Sequence, residues 1–116
     1  MTPATAVPGS APALSSGPLV GDVVRLEPLA LGHVPALREA GSYAPFAQVE
    51  TATGRVVGHT AYLTPRWMPD GRLFAVEVGS SWLSPAVRGT AVNPAAKLLL
   101  LTQAFEEWGV DRVDIK

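Results

Sequence analysis

The sequence has no cysteine among its 116 residues. Disulfide bridges, thiolate zinc sites, iron–sulfur clusters and a cysteine nucleophile are therefore excluded. No apolar run approaches the roughly 18 residues that a membrane-spanning helix needs. The N-terminus also lacks the basic flank and apolar centre of a signal peptide. We therefore expect a soluble cytoplasmic protein with no membrane partner.

Charge is also scarce in this chain. Lys and Arg number 9 against 10 Asp and Glu, and the net charge is -1. Because no basic excess is present to neutralise a phosphate backbone, we expect no nucleic-acid partner. His33 and His59 stand alone, without a second ligand at the right spacing, so no metal site is predicted. No Ser-His-Asp arrangement or G-x-S-x-G motif is visible either.

The length suits one small domain, preceded by a tail. Residues 1–18 carry no charge and consist almost wholly of Ala, Pro, Ser, Thr and Gly. Such a segment buries too little apolar surface to offset its ordering entropy, so it is predicted to be disordered. The folded domain is then expected over residues 19–116.

The hydrophobic pattern of the domain predicts an α+β arrangement. Strands are expected at Val20 to Glu27, Phe46 to Glu50, Val56 to Thr64, Leu73 to Leu83 and Arg112 to Ile115. Helices are expected at Leu31 to Ala40 and Pro94 to Trp108.

Two of these elements carry the most information. In the long strand, Val76, Val78 and Trp82 alternate with Glu77 and Leu83, and small residues from Gly79 to Ser81 permit a bulge. In the long helix, Asn93 is the expected N-cap and Gly109 the stop signal. Its apolar stripe is expected to comprise Leu98, Leu101, Phe105 and Trp108. Lys97, Glu106 and Glu107 are expected on its solvated face.

The loop between this strand and this helix, residues 84–93, has few bulky side chains and one arginine, Arg88. It leads into a helix N-terminus, where free amides and the helix dipole favour an anion. Phosphate or pyrophosphate is the natural guest. A capped helix start that binds nothing is the alternative for the same pattern.

Three segments within this region resemble the GNAT superfamily of acetyl-CoA-dependent N-acetyltransferases, and in particular its RimJ/RimL-type branch. They are Glu77 to Pro85 (EVGSSWLSP), Val87 to Asn93 (VRGTAVN) and Ala95 to Leu100 (AAKLLL). The likeness extends to GRVVGHT at residues 54–60 and WGVDRV at residues 108–113. It implies a partial GNAT-like α+β fold, with helices packed on a mainly antiparallel central sheet.

The resemblance also implies site residues. Positions 88–93 match the loop Q/R-x-x-G-x-G/A, whose amides hold the cofactor pyrophosphate, and residues 81–83 would pair their backbone with pantetheine. The implied acetyl-CoA contacts are Ser81, Trp82, Leu83, Arg88, Gly89, Thr90, Ala91, Val92 and Asn93. Ala91 stands where the family prefers Gly, and a positive φ there would cost about 1 kcal/mol.

Glu77 occupies a position where many family members carry a general base. A base is needed because an amine attacks a thioester only when neutral, and most amines are protonated at neutral pH. A carboxylate on a half-exposed strand that merely faces solvent is the alternative for Glu77. Tyr62, Trp67 and Trp82 are either core aromatics or the lining of an acceptor pocket.

The pattern departs from the family after Lys116, where relatives continue with a helix and further strands, so the domain looks truncated. The connection between Gly41 and Tyr43 is also short. An unpaired edge at Arg112 and a partly bare apolar face would be covered by a homodimer. The expected activity is acetyl transfer to a primary amine, with a protein N-terminus and a small molecule both open as acceptor. The alternative is a non-catalytic CoA-binding remnant or an interaction module.

Overall fold

The structure is a computed structural model that describes residues 14, 16–29 and 43–116. A six-stranded sheet with sequential strand order dominates it. Its strands are β1 (Leu19–Val20), β2 (Val24–Pro28), β3 (Tyr43–Glu50), β4 (Val56–Trp67), β5 (Leu73–Leu83) and β6 (Arg112–Ile115). The first five strands pair antiparallel, and β6 pairs parallel to β5. The predicted α+β class and mainly antiparallel sheet are confirmed.

The predicted first strand is a hairpin in the structure. Residues 21–23 form a turn between β1 and β2, and the Gly21 amide donates to the Val24 carbonyl across it. The sequence alternates too weakly here to reveal the turn. The β5 and β6 boundaries agree with the prediction. β3 begins earlier than predicted, at Tyr43, and β4 ends later than predicted, at Trp67. The predicted helix at 31–40 lies outside the described residues.

Among residues 43–116, one helical segment packs on the sheet. A short 3-10 turn (Pro85–Val87) follows β5, and then helix α1 covers Val92–Thr102. A single wider π-helical turn (Gln103–Glu107) continues it to Trp108. Gly109, at φ 67°, supplies the left-handed conformation that ends the helix. The helix thus begins two residues before the predicted Pro94.

The buried stripe of this helix differs from the predicted one. Val92, Ala96, Leu100 and Ala104 are buried against the sheet, whereas Leu98 is 64% and Phe105 47% exposed. The buried residues are spaced by four, and the predicted ones by three or four, so both sets have helical spacing. Apolar periodicity therefore did not distinguish the two faces, because leucines lie on both.

The core lies between α1 and one face of the sheet. Phe46 and Tyr62 pack edge to face with ring centroids 5.8 Å apart, and both are almost fully buried. The Tyr62 hydroxyl donates to the Leu100 carbonyl at 2.6 Å, which ties β4 to the helix. Burial raises the pKa of Tyr62 well above its usual value. Leu14, within the predicted tail, also packs in this core.

Candidate functional site

A β-bulge interrupts the pairing of β5 with β4. His59 pairs with Trp82 and Ala61 pairs with Gly79, so Thr60 stands opposite two residues, Ser80 and Ser81. This is the two-against-one arrangement of a bulge. The small residues of Gly79 to Ser81 had predicted it, and the register confirms the prediction.

The bulge changes which side chains share a face. Cross-strand partners share a face, and so do residues two apart on a strand. Trp82 therefore lies on the same face as Gly79 and Glu77, and its ring stacks on His59 with centroids 6.2 Å apart. The predicted grouping of Trp82 with Val76 and Val78, and of Leu83 with Glu77, is wrong. The extra residue inverts the alternation beyond Gly79.

An open cavity of about 250 Å³ lies where the bulged end of β5 meets the start of α1. Its lining residues are Ser81, Trp82, Leu83, Arg88 and Asn93. All five are among the residues that the sequence pattern singled out for cofactor contact. Strand and helix therefore bring the two predicted groups, 81–83 and 88–93, together at one concave surface.

Arg88 is held at the mouth of this cavity. Its Nε donates to the Leu83 carbonyl at 3.1 Å, and the side chain is exposed. The terminal guanidinium nitrogens remain available as donors, in a geometry suited to phosphate oxygens. Gly89, at φ 78°, turns the chain into the helix.

The helix start differs in detail from the prediction. The Val92 amide contacts the Thr90 hydroxyl at 3.4 Å, and the residue preceding the helix is Ala91 rather than Asn93. Ala91 has φ -73°. The expected strain at Ala91 is therefore absent, because Gly89 takes the only positive φ between residues 84 and 93. Asn93 lies in the first helical turn.

The backbone of this loop offers donors to an anion. Within the described residues, the Gly89 and Ala91 amides have no protein acceptor. They precede the positive end of the α1 dipole, which favours negative charge. Asn93 adds an unpaired polar atom, because its Oδ1 is buried without a hydrogen-bond partner among the described residues. The site therefore combines unpaired donors, a cation and an unpaired acceptor.

Glu77 lies in the part of β5 that precedes the bulge. It pairs with Leu63 on β4 and with Asp114 on β6. Its side chain is 16% exposed, and Oε1 lies 3.6 Å from the Lys116 Nζ. The carboxylate is thus half-buried on the Trp82 face of the sheet, four residues before the cavity begins.

Lys97 is a residue whose contacts sequence reasoning missed. Its Nζ donates to the Ser81 Oγ at 2.7 Å, and Ser81 Oγ lies 2.9 Å from the buried Thr60 hydroxyl. Burial lowers the pKa of the Lys97 ammonium below its ordinary value. Lys97 is therefore half-buried, whereas Glu106 and Glu107, predicted on the same solvated face, are exposed. Its position four residues after Asn93, on one helix face, was the available signal.

The three aromatic candidates separate in the structure. Tyr62 is fully buried, and Trp67 packs against the core. Trp82 is 49% exposed and lines the cavity. Only Trp82 therefore belongs to the candidate site, while the other two serve packing.

Other candidate sites are sparse in the described part of the chain. A smaller cavity of about 100 Å³ lies between Leu14 and Phe46, away from every predicted site residue. Residues 14, 16–29 and 43–116 hold no cluster of three acidic or histidine side chains suited to a metal ion. Among the same residues, no helix has the length and hydropathy to cross a membrane.

The described fold matches those of solved acetyltransferases. A putative acetyltransferase from T. thermophilus is 28% identical with a TM-score of 0.65, over 87% of this chain and 66% of its own. A GCN5-related N-acetyltransferase from Brucella melitensis is 20% identical with a TM-score of 0.64, over 89% of this chain and 62% of its own. A probable GNAT-family acetyltransferase from Chromobacterium violaceum is 24% identical with a TM-score of 0.63, over 94% of this chain and 69% of its own.

These likenesses concern the fold. This chain spans less than two thirds of the lengths of the Brucella and T. thermophilus proteins. No protein-family profile and no curated protein matches the sequence. The chain therefore has a partial GNAT-like α+β fold, whose bulged strand and helix start form the candidate site.

Proposed function

We propose that the chain transfers an acetyl group from acetyl-CoA to a primary amine. The observation that carries this proposal is the cavity between residues 81–83 and 88–93, formed in a GNAT-like fold. Acetyl transfer is the activity named for the solved proteins of this fold. The shape and the donor set of the cavity support the same reaction here.

The donors around the cavity fit a CoA pyrophosphate. The guanidinium of Arg88 and the unpaired amides of Gly89 and Ala91 all favour negative charge at one place. Thr90 and Val92 complete the loop and set its conformation. The Asn93 Oδ1 would accept one N–H, which relieves the cost of its unpaired burial.

The strand side of the cavity fits the pantetheine arm. Ser81, Trp82 and Leu83 form the end of β5, which within the described residues pairs along one edge only, with β4. The free edge of such a strand offers N–H and C=O groups to an amide-containing ligand. Backbone pairing of this kind would align the thioester with the bulge.

Glu77 is proposed to accept the proton of the attacking amine, directly or through water. It is half-buried on the face that also carries Trp82. Lys116 contacts it at 3.6 Å, a distance that leaves the carboxylate oxygens free for another donor. Glu77→Gln keeps the shape and removes the base, so we expect slower transfer with cofactor affinity unchanged.

The acceptor is proposed to be a protein N-terminus, as the RimJ/RimL resemblance implies, or a small-molecule amine. A peptide panel with free and blocked N-termini, alongside simple polyamines and amino sugars, separates the two. Acetylation of free N-termini alone would assign the first class.

A non-catalytic CoA-binding domain is the second candidate function. It is favoured by the lining of the cavity, which includes no carboxylate and comprises Ser81, Trp82, Leu83, Arg88 and Asn93. Cofactor binding without transfer to any amine in the panel would select it. A homodimer is also proposed, because it would cover β6, which pairs with β5 alone among the described strands. Light scattering with and without acetyl-CoA tests it.

Titration calorimetry of acetyl-CoA into the full chain tests the cofactor site. Desulfo-CoA in a parallel titration reports binding that does not depend on the thioester. We expect micromolar affinity for both, and a loss of about tenfold or more in Arg88→Ala because a charge-assisted contact is removed. Arg55→Ala, which removes an exposed arginine from the β3–β4 turn, is the matched control. Equal losses in both variants, or no binding at millimolar ligand, would contradict the assignment.

A further inference from the structure

Lys97 is held beside the candidate site by the Ser81 hydroxyl, which in turn contacts the Thr60 hydroxyl. Its Nζ lies 2.7 Å from the Ser81 Oγ, and Ser81 lies 2.9 Å from the Thr60 Oγ1. Ser81 itself lines the cavity. The lysine nitrogen therefore sits one hydrogen bond away from the surface proposed to bind the acetyl donor.

The helix directs Lys97 toward this place. Asn93 and Lys97 are four residues apart, so they lie one above the other on the same face of α1. Asn93 lines the cavity and Lys97 contacts the bulge of β5. Both side chains thus extend from the helix toward the same stretch of strand.

Within the described part of the chain, Lys97 has no carboxylate partner. Among residues 14, 16–29 and 43–116, every ion pair involves another basic residue, and no carboxylate lies within 4.0 Å of the Lys97 Nζ. Its hydrogen-bond partner is the neutral hydroxyl of Ser81. Burial also lowers the pKa of this amine, which increases its neutral and nucleophilic fraction.

We propose that Lys97 is an acetyl acceptor of the chain's own site, modified by acetyl-CoA bound at the bulge. This inference rests on the proposed function, because it uses the same cofactor site. The neutral Nζ forms a bond to the thioester carbonyl carbon, and the carbon–sulfur bond breaks. The nitrogen loses one proton and the CoA sulfur gains one, so no oxidant or further reactant is needed.

Acetylation would change the site itself. The product amide carries no charge and keeps one N–H, so it can still donate to Ser81 while the cationic character is lost. The cavity would then present less positive charge to an anionic cofactor. Modified chain should accordingly bind acetyl-CoA more weakly than unmodified chain.

The sequence provides an internal control for this modification. It contains two lysines, Lys97 and Lys116. Lys116 is 61% exposed and contacts Glu77, so it reports the reactivity of an accessible lysine. Comparing the two positions within one molecule cancels differences in protein and reagent concentration.

The experiment incubates the full chain with acetyl-CoA and follows acetylation of both lysines by peptide mass spectrometry. We expect Lys97 to react at least about tenfold faster than Lys116, because a bound donor acts at high effective concentration. Acetic anhydride, which has no CoA portion to bind, should show no comparable preference for Lys97. The preference for Lys97 should also vanish when guanidinium unfolds the chain.

Variants separate this inference from the proposed function. Arg88→Ala should slow acetylation of Lys97 in proportion to its weaker cofactor binding, and leave Lys116 unchanged. Calorimetric binding of acetyl-CoA with Lys116 reacting as fast as Lys97 would overturn the inference and leave the proposed cofactor site standing. The same preference for Lys97 over Lys116 with acetic anhydride would overturn it too, since the intrinsic reactivity of Lys97 would then explain the result without a bound donor. Absence of acetyl-CoA binding would overturn both proposals.

Discussion

The two halves of β5 belong to one strand but have different surroundings. From Ala75 to Val78 the strand is paired on both edges, with β4 and β6, and its Val76 and Val78 are fully buried. From Gly79 to Leu83 it bulges, and Trp82 is 49% exposed. We call Ala75 to Val78 the closed half of β5 and Gly79 to Leu83 its bulged half. The closed half stabilises the fold, and the bulged half leaves backbone and side chains available to a ligand. The transition occurs at the small residues Gly79 to Ser81.

The largest expected effect concerns the packing of α1 on the sheet. Leu100 is a fully buried residue of α1, so Leu100→Ala should cost about 2–5 kcal/mol in free energy of unfolding. Leu98→Ala on the same helix should cost less than about 0.5 kcal/mol, because Leu98 is 64% exposed. Denaturant unfolding of both variants checks this pair. Equal losses would show that the helix packs through a different face.

A second pair of variants compares the two halves of β5 directly. Val78→Ala should destabilise the chain by about 2 kcal/mol, through lost burial and a cavity, and leave the intrinsic affinity for acetyl-CoA nearly unchanged. Trp82→Ala should do the reverse, weakening acetyl-CoA binding while reducing stability less. Unfolding and calorimetry on both variants give the comparison. If both variants changed stability and acetyl-CoA affinity to the same extent, the proposed difference between the two halves of β5 would be contradicted.

The third prediction uses the close approach of β4 to the bulged half. A Cβ placed on Gly58 would lie 2.1 Å from the Trp82 carbonyl oxygen, whereas one on Gly17 would meet nothing within 4 Å. Gly58→Ala should therefore displace the bulged half, destabilise the chain by about 1–3 kcal/mol and weaken acetyl-CoA binding. Gly17→Ala is the matched control. Unchanged binding in Gly58→Ala would mean that the position of this segment does not matter to the ligand.

The smallest expected effect concerns β6, the strand that pairs with the closed half of β5. Asp114 on β6 contacts Arg66 at 2.8 Å and Arg112 at 2.9 Å, and these hydrogen bonds hold the pKa of its carboxyl below the usual value. A depressed folded-state pKa adds stability above the unfolded-state value, which is lost as pH falls through the folded-state value. Asp114→Asn should flatten the acid limb of the stability curve slightly. An identical curve between pH 5 and 2 would show that the pair contributes nothing.

The sequence predicted the strands of this sheet well where turn residues mark their ends. Asp70 and Gly71 define the turn before β5, and the Arg72 amide donates to the Asp70 carboxylate at 2.9 Å. The alternation of β5 beyond Gly79 was predicted wrongly. A bulge adds one residue, and composition shows where it is permitted without showing how the register resumes.

The sequence predicted which residues form the candidate site, but not the contacts that their side chains make. Arg88 and the residues around it were selected by their motif, and the cavity unites five of the nine predicted cofactor residues. The roles of Thr60 and Lys97 depend on how α1 is rotated over the sheet. That rotation is set by Ala96 and Leu100, whose burial the apolar periodicity alone did not distinguish from that of Leu98.

Amide chemical shifts on titration with acetyl-CoA would locate the ligand on the protein, because each backbone N–H reports its own surroundings. We expect the largest changes from Ser81 to Leu83 and from Arg88 to Asn93, with Val76 and Val78 little affected. Changes centred on the smaller cavity between Leu14 and Phe46, or none at millimolar ligand, would contradict this expectation.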